Sequence, residues 1–190
     1  MSHTPERDRS KQILTLPNLL SVFRLCLIPV FVWLYRWKGN YPATAAILLL
    51  SGFTDIADGF IARRFHMISD LGKVLDPIAD KLTQCAMLVC LLTRFPLMVC
   101  PLIALVVKEA TDGFLGLLVV KRTGIVCGAE WHGKAATCLL FAVMVIHVLW
   151  YELPPHLSLG LILLATAIQL FSLALYLKRN LTLIRRGKTA

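Results

Sequence analysis

Six apolar stretches constrain this chain more than any other feature. They fall at roughly 19–35, 43–62, 74–93, 96–120, 135–151 and 157–177. Each has the length of a membrane-crossing helix, roughly 17 to 25 residues. The breaks between them fall at turn-prone or charged residues: Lys38 to Pro42, Arg63 to Gly72, Arg94 to Pro96, Lys121 to Lys134 and Glu152 to His156. Of the 190 residues, 57% are hydrophobic and only 16% charged, and the mean hydropathy is +0.72. Soluble domains are nearer half apolar and a quarter charged. The expectation is an all-α, polytopic integral membrane protein with six transmembrane helices spanning residues 16–178. Residues 1–15 are expected to form a cytoplasmic tail or interfacial helix, and 179–190 a basic cytoplasmic tail.

The basic residues orient the helices. With the N-terminus in the cytoplasm, fourteen of the twenty Lys and Arg lie on that side. Three lie outside (Arg36, Lys38, Arg94) and three within helices (Arg24, Lys81, Lys108). The positive-inside rule then predicts both termini in the cytoplasm of a bacterial-type inner membrane. The net charge of +9 therefore needs no nucleic acid as partner, and no basic run is interleaved with stacking aromatics. The six cysteines form no CxxC pair and read as small packed residues, not as a zinc site. The five histidines lack partners at metal spacing and read as packing or interfacial residues. Trp33, Trp37, Trp131 and Trp150 fall near helix ends, as an aromatic belt would.

Four carboxylates lie where a plain bundle would not put them. Asp55 and Asp58 are three apart, and Asp76 and Asp80 four apart, so each pair shares one helical face. Measured from Arg63, Asp58 lies about 7 Å in and Asp55 about 12 Å; measured from Gly72, Asp76 lies about 6 Å in and Asp80 about 12 Å. An antiparallel hairpin would face the four acids at two matching depths near the cytoplasmic surface. Uncompensated, such a set costs roughly 10 kcal/mol. Arg63, Lys73 and Lys81 offset part of that, and one or two divalent cations would relieve the rest. Oxygen-only ligation suits Mg²⁺ or Mn²⁺, and two such ions can clamp both oxygens of a phosphoryl transfer. Gly59 and Gly72, costly in helices, suit a ligand that approaches the backbone. Pro77 is expected in the first turn of the third helix, where a missing N–H does little harm.

The run Asp55-x2-Asp58-Gly59-x2-Ala62-Arg63-x8-Gly72-x3-Asp76-x3-Asp80 resembles the complete signature of the CDP-alcohol phosphotransferases at all eight fixed positions. Leu16 to Arg24 and Pro29 resemble the first helix of the branch containing the phosphatidylglycerophosphate and cardiolipin synthases. The resemblance covers residues 14 to 150 and weakens over the last helix. It implies a six-helix membrane fold, usually homodimeric, that displaces CMP from a CDP-linked lipid by an alcohol. It further implies that Asp55, Asp58, Asp76 and Asp80 hold two Mg²⁺ or Mn²⁺ ions and that Asp80 is the base for the acceptor hydroxyl. Asp58, Gly59, Ala62, Arg63 and Gly72 would then line the nucleotide site.

The acceptor is read from basic residues. Glycerol 3-phosphate needs cations beside the acids, and Lys134, Lys108, Arg122 and Arg24 are the candidates. Lys134 follows Gly133 at the cytoplasmic start of the fifth helix, a position suited to phosphate. Lys108, inside the fourth helix, is expected to pair with Asp112 four residues on, with Glu109 turned about 100° away. The branch carries Arg-Glu where this chain has Lys108-Glu109. The favoured reaction is transfer of the phosphatidyl group of CDP-diacylglycerol to glycerol 3-phosphate. Alternatives are phosphatidylglycerol as acceptor, giving cardiolipin, or another alcohol. An ion-coupled transporter is disfavoured by acids clustered at one surface and by the lack of an inverted repeat.

Overall fold

The computed structural model describes residues 16–64, 70–124, 130–150 and 152–186. Six long helices account for most of them: α1 (Leu16–Trp33), α2 (Tyr41–Arg64), α3 (Asp70–Leu92), α4 (Val99–Thr123), α5 (Trp131–Leu149) and α6 (Pro155–Arg186). No strand occurs among the described residues. Each helix covers one of the six apolar stretches. The expected tail 1–15 lies outside the described residues, and α6 continues through 179–186.

Local chemistry sets the boundaries. A π-helical segment, Leu34–Lys38, follows α1 and ends at Gly39, whose φ of 59° returns its N–H to the Leu34 carbonyl. Glycine adopts this left-handed conformation at little cost. The Asn40 side-chain oxygen then accepts the Ala43 N–H at 3.1 Å and caps α2. A 3₁₀ turn, Pro96–Met98, leads into α4, which closes at Gly124 (φ 68°) with its N–H on the Val120 carbonyl.

The chain divides into two compact units between Cys90 and Leu91. In the first, α1 packs on α2, and Phe31, Leu48, Met87 and Leu88 are fully buried. In the second, α6 packs on both α4 and α5 around Met98, Leu140, Met144 and Ile162. Both units invert the polarity of a soluble fold. Phe53 and Ile56 of α2, Phe114 and Leu117 of α4 and Phe171 of α6 face outward, while Arg24, Gln84, Lys108, His132 and Ser172 are buried. Outer faces this apolar suit hydrocarbon, not water.

Three helical stretches, Asn18–Lys38, Trp131–Leu149 and Pro155–Arg185, are long and apolar enough to cross a membrane. The chain is thus an all-helical, multi-pass membrane protein. The remaining helices, of 24, 23 and 25 residues, are long enough but carry the charged groups that lower their hydropathy. One expectation is corrected. Helix α3 begins at Asp70, so Pro77 lies inside it and not in its first turn. An interior proline lacks the N–H that would bond four residues back, which opens the ladder one residue after Asp76.

Candidate active site

The first unit gathers three of the four signature acids around polar groups from its own helices. Arg24 of α1 is 1% exposed, an expensive position for a cation unless it is paired. Its Nη1 donates to Asp55 Oδ1 of α2 at 2.5 Å and its Nη2 to Asp76 Oδ1 of α3 at 3.2 Å. Ser21, one turn before Arg24, donates to the same Asp76 oxygen at 3.5 Å. Asp80 is held from its own helix: Gln84 Nε2 donates to Oδ1 at 2.9 Å, and Lys81 Nζ lies 3.0 Å from Oδ2. Arg24 therefore links two signature acids of different helices. Asp58, Gly59, Ala62 and Arg63 lie in α2, but their side-chain surroundings fall outside the described residues. Gly72 lies in the first turn of α3, half-buried. Between α1 and α3 an apolar cavity of about 460 Å³ opens, lined by Ile28 and Val32 and by Leu82, Cys85, Ala86 and Val89.

The second unit holds a separate polar cluster. Lys108 is buried, and its Nζ lies 2.7 Å from Glu109 Oε1 and 3.6 Å from Asp112 Oδ2. The expected ranking of its two partners is therefore reversed. The flexible lysine stem reaches round the helix to the nearer carboxylate.

Glu130, just before α5, accepts from Arg179 Nη1 at 2.8 Å, and its other oxygen lies 2.8 Å from His132 Nε2. These two partners hold its carboxyl below the usual glutamate range. Nδ1 of His132 lies 2.9 Å from Ser172 Oγ, and the Tyr176 hydroxyl accepts the Glu130 backbone N–H at 2.9 Å. Arg179 stacks on the Tyr176 ring at 4.8 Å and Lys108 lies 5.8 Å from it. Lys134 and Arg122 are exposed. The sequence reading missed Glu130, Tyr176 and Arg179. A signal existed: Gln169, Ser172, Tyr176 and Arg179 recur every three or four residues along an otherwise apolar helix.

Residues 14–177 match the family model of the CDP-alcohol phosphatidyltransferases. The chain belongs to that family. It is 39% identical over 139 residues to the CMP-forming cardiolipin synthase of Streptomyces coelicolor, which covers 69% of this chain and 63% of that protein. It is 34% identical over 115 residues to the CDP-diacylglycerol–glycerol-3-phosphate 3-phosphatidyltransferase of Rickettsia typhi, covering 60% and 57%. A fusion protein of Schizosaccharomyces pombe, named for a CMP-forming cardiolipin synthase and a mitochondrial hydrolase, is 43% identical over 89 residues. The chain spans less than two thirds of the length of each of these three, and only 15% of the fusion protein.

The family's signature implies divalent metal, and the residues present fit it in kind. Among the described residues no three of His, Cys, Asp and Glu converge as a metal-holding group, and Asp58 is outside that set. The donor set of the signature is nonetheless all carboxylate oxygen, as Mg²⁺ and Mn²⁺ prefer. A single guanidinium also draws acids of two helices, Asp55 and Asp76, to one cation.

Proposed function

We propose that this phosphatidyltransferase-family protein transfers the phosphatidyl group of CDP-diacylglycerol to glycerol 3-phosphate, giving phosphatidylglycerophosphate and CMP. All six helices cross a bacterial-type inner membrane, both termini are cytoplasmic, and the acids open to the cytoplasmic side of a homodimer. The observation that carries this reading is the complete eight-position signature on α2 and α3, two of whose acids meet at Arg24.

In the mechanism, Asp55, Asp58, Asp76 and Asp80 would hold the divalent ions, which when bound would supply neutralising charge to the pyrophosphate and so help CMP leave. Asp58, Gly59, Ala62, Arg63 and Gly72 line the nucleotide site, where the two glycines, lacking a Cβ, let the ligand approach the backbone. Asp80 accepts the proton of the acceptor hydroxyl as that oxygen attacks phosphorus. Gln84 and Lys81 fix its orientation, and each carboxylate oxygen has lone-pair capacity for a further donor. The apolar cavity between α1 and α3 takes a lipid tail. Lys108, Lys134 and Arg122 remain the cations proposed for the acceptor phosphate.

The test is CDP-diacylglycerol-dependent incorporation of labelled glycerol 3-phosphate into lipid. Phosphate-bearing lipid product is expected with Mg²⁺, and its absence at any acceptor concentration would refute the proposed acceptor. The 39% identity to the Streptomyces coelicolor protein favours one second reading, in which phosphatidylglycerol is the acceptor and cardiolipin the product.

A further inference from the structure

Arg24 lies outside the eight-position signature, yet it touches two of the signature acids. Its side chain is 2% exposed, whereas those of Asp55 and Asp76 are 42% and 41% exposed. The cation therefore sits behind the carboxylates, on their buried side, and each acid keeps an open face. Both contacts use Oδ1, one from Nη1 and one from Nη2. A planar guanidinium can hold two carboxylates in one fixed relation, because its nitrogens point in set directions. Ser21 reinforces the arrangement: it lies three residues before Arg24, on the same face of α1, and reaches the Asp76 oxygen that Arg24 holds. Thus α1, which carries no signature residue, reaches both helices that do.

We infer that Arg24 is a positioning residue for the metal-holding carboxylates, fixing Asp55 and Asp76 from behind so that their open faces converge on one ion. The inference rests on the metal reading of the signature given above. Groups that orient metal-binding carboxylates commonly contribute 10- to 100-fold to metal affinity. Fixing two acids that belong to different helices is the step that most needs such support, since nothing in either helix alone sets their separation.

Full-length protein in detergent is titrated with Mn²⁺, and the free ion is counted by its EPR signal. Arg24→Lys keeps the charge but replaces the fork with a single nitrogen. It is expected to weaken Mn²⁺ binding about 10- to 100-fold. A merely structural role would lower the melting temperature and leave the Mn²⁺ affinity of the folded protein unchanged, and that result would overturn the assignment. If Arg24→Lys does not purify as folded protein, Ser21→Ala decides. It leaves every charge in place and is expected to weaken binding about threefold, the effect of losing one long hydrogen bond to a carboxylate; unchanged affinity would overturn the role of α1. Wild-type protein that binds no Mn²⁺ would overturn the metal reading itself, a result distinct from equal binding by wild type and variant.

Discussion

Gly133→Ala offers a sharp energetic test of the second unit, because the helix-propensity expectation and the packing expectation have opposite signs. At an open helical site the exchange of glycine for alanine stabilises by about 1 kcal/mol. Here a Cβ on residue 133 would lie 2.5 Å from the Tyr176 hydroxyl oxygen, 3.1 Å from Cε2 and 3.2 Å from Cζ. The ring is not free to step aside. Its hydroxyl accepts the Glu130 N–H, its centroid lies 4.6 Å from that of His132, and Arg179 stacks on it. Overpacking of this kind costs about 1–3 kcal/mol. Loss of the Glu130 bond adds about 1 kcal/mol. With the propensity gain set against these, the net is a destabilisation of about 1–3 kcal/mol. Tyr176→Phe removes the atom nearest the new methyl group, so the alanine should cost about 1 kcal/mol or less in that background. The assay is reversible unfolding in mixed micelles of wild type, both single variants and the double variant. A stabilised Gly133→Ala protein, or an equal cost in both backgrounds, would refute the packing argument.

Three further outcomes are expected. Asp80→Asn should lower kcat about 10²- to 10⁴-fold while CDP-diacylglycerol binding persists, and activity near wild type would remove Asp80 as the base. Lys108→Met should raise KM for glycerol 3-phosphate more than it lowers kcat; an unchanged KM would show that Lys108 serves only Glu109 and Asp112. Glu130, whose folded-state pKa is depressed by Arg179 and His132, stabilises the protein above its unfolded pKa of about 4.3 and loses that contribution as pH falls through its lower folded value. Glu130→Gln should therefore flatten the fall in melting temperature between roughly pH 5 and 3. A fall as steep as in wild type would place the acid sensitivity elsewhere.

The helices and the acids were legible in the sequence because both depend on local periodicity. An apolar run of 17 to 25 residues states its own length, and the spacing of Asp76 and Asp80 states a shared face. What was not legible depends on partners distant in sequence. Arg24 and Asp76 are 52 residues apart and Glu130 and Arg179 are 49 apart, and no pattern along the chain announces either pair. Lys108 shows a different limit. Its spacing to Asp112 was right for a shared face, but a four-carbon stem let the ammonium choose the adjacent Glu109. A helix-start rule puts Pro77 in the first turn, but the helix begins earlier, at Asp70.

The phosphatidyl transfer itself is read by CMP release from CDP-diacylglycerol by the purified protein with Mg²⁺. Glycerol 3-phosphate and phosphatidylglycerol are supplied in parallel, with Asp80→Asn as the blank. Release is expected with glycerol 3-phosphate and none from the variant. Release with phosphatidylglycerol alone would contradict the acceptor and make cardiolipin the product; no release with either would contradict both assignments.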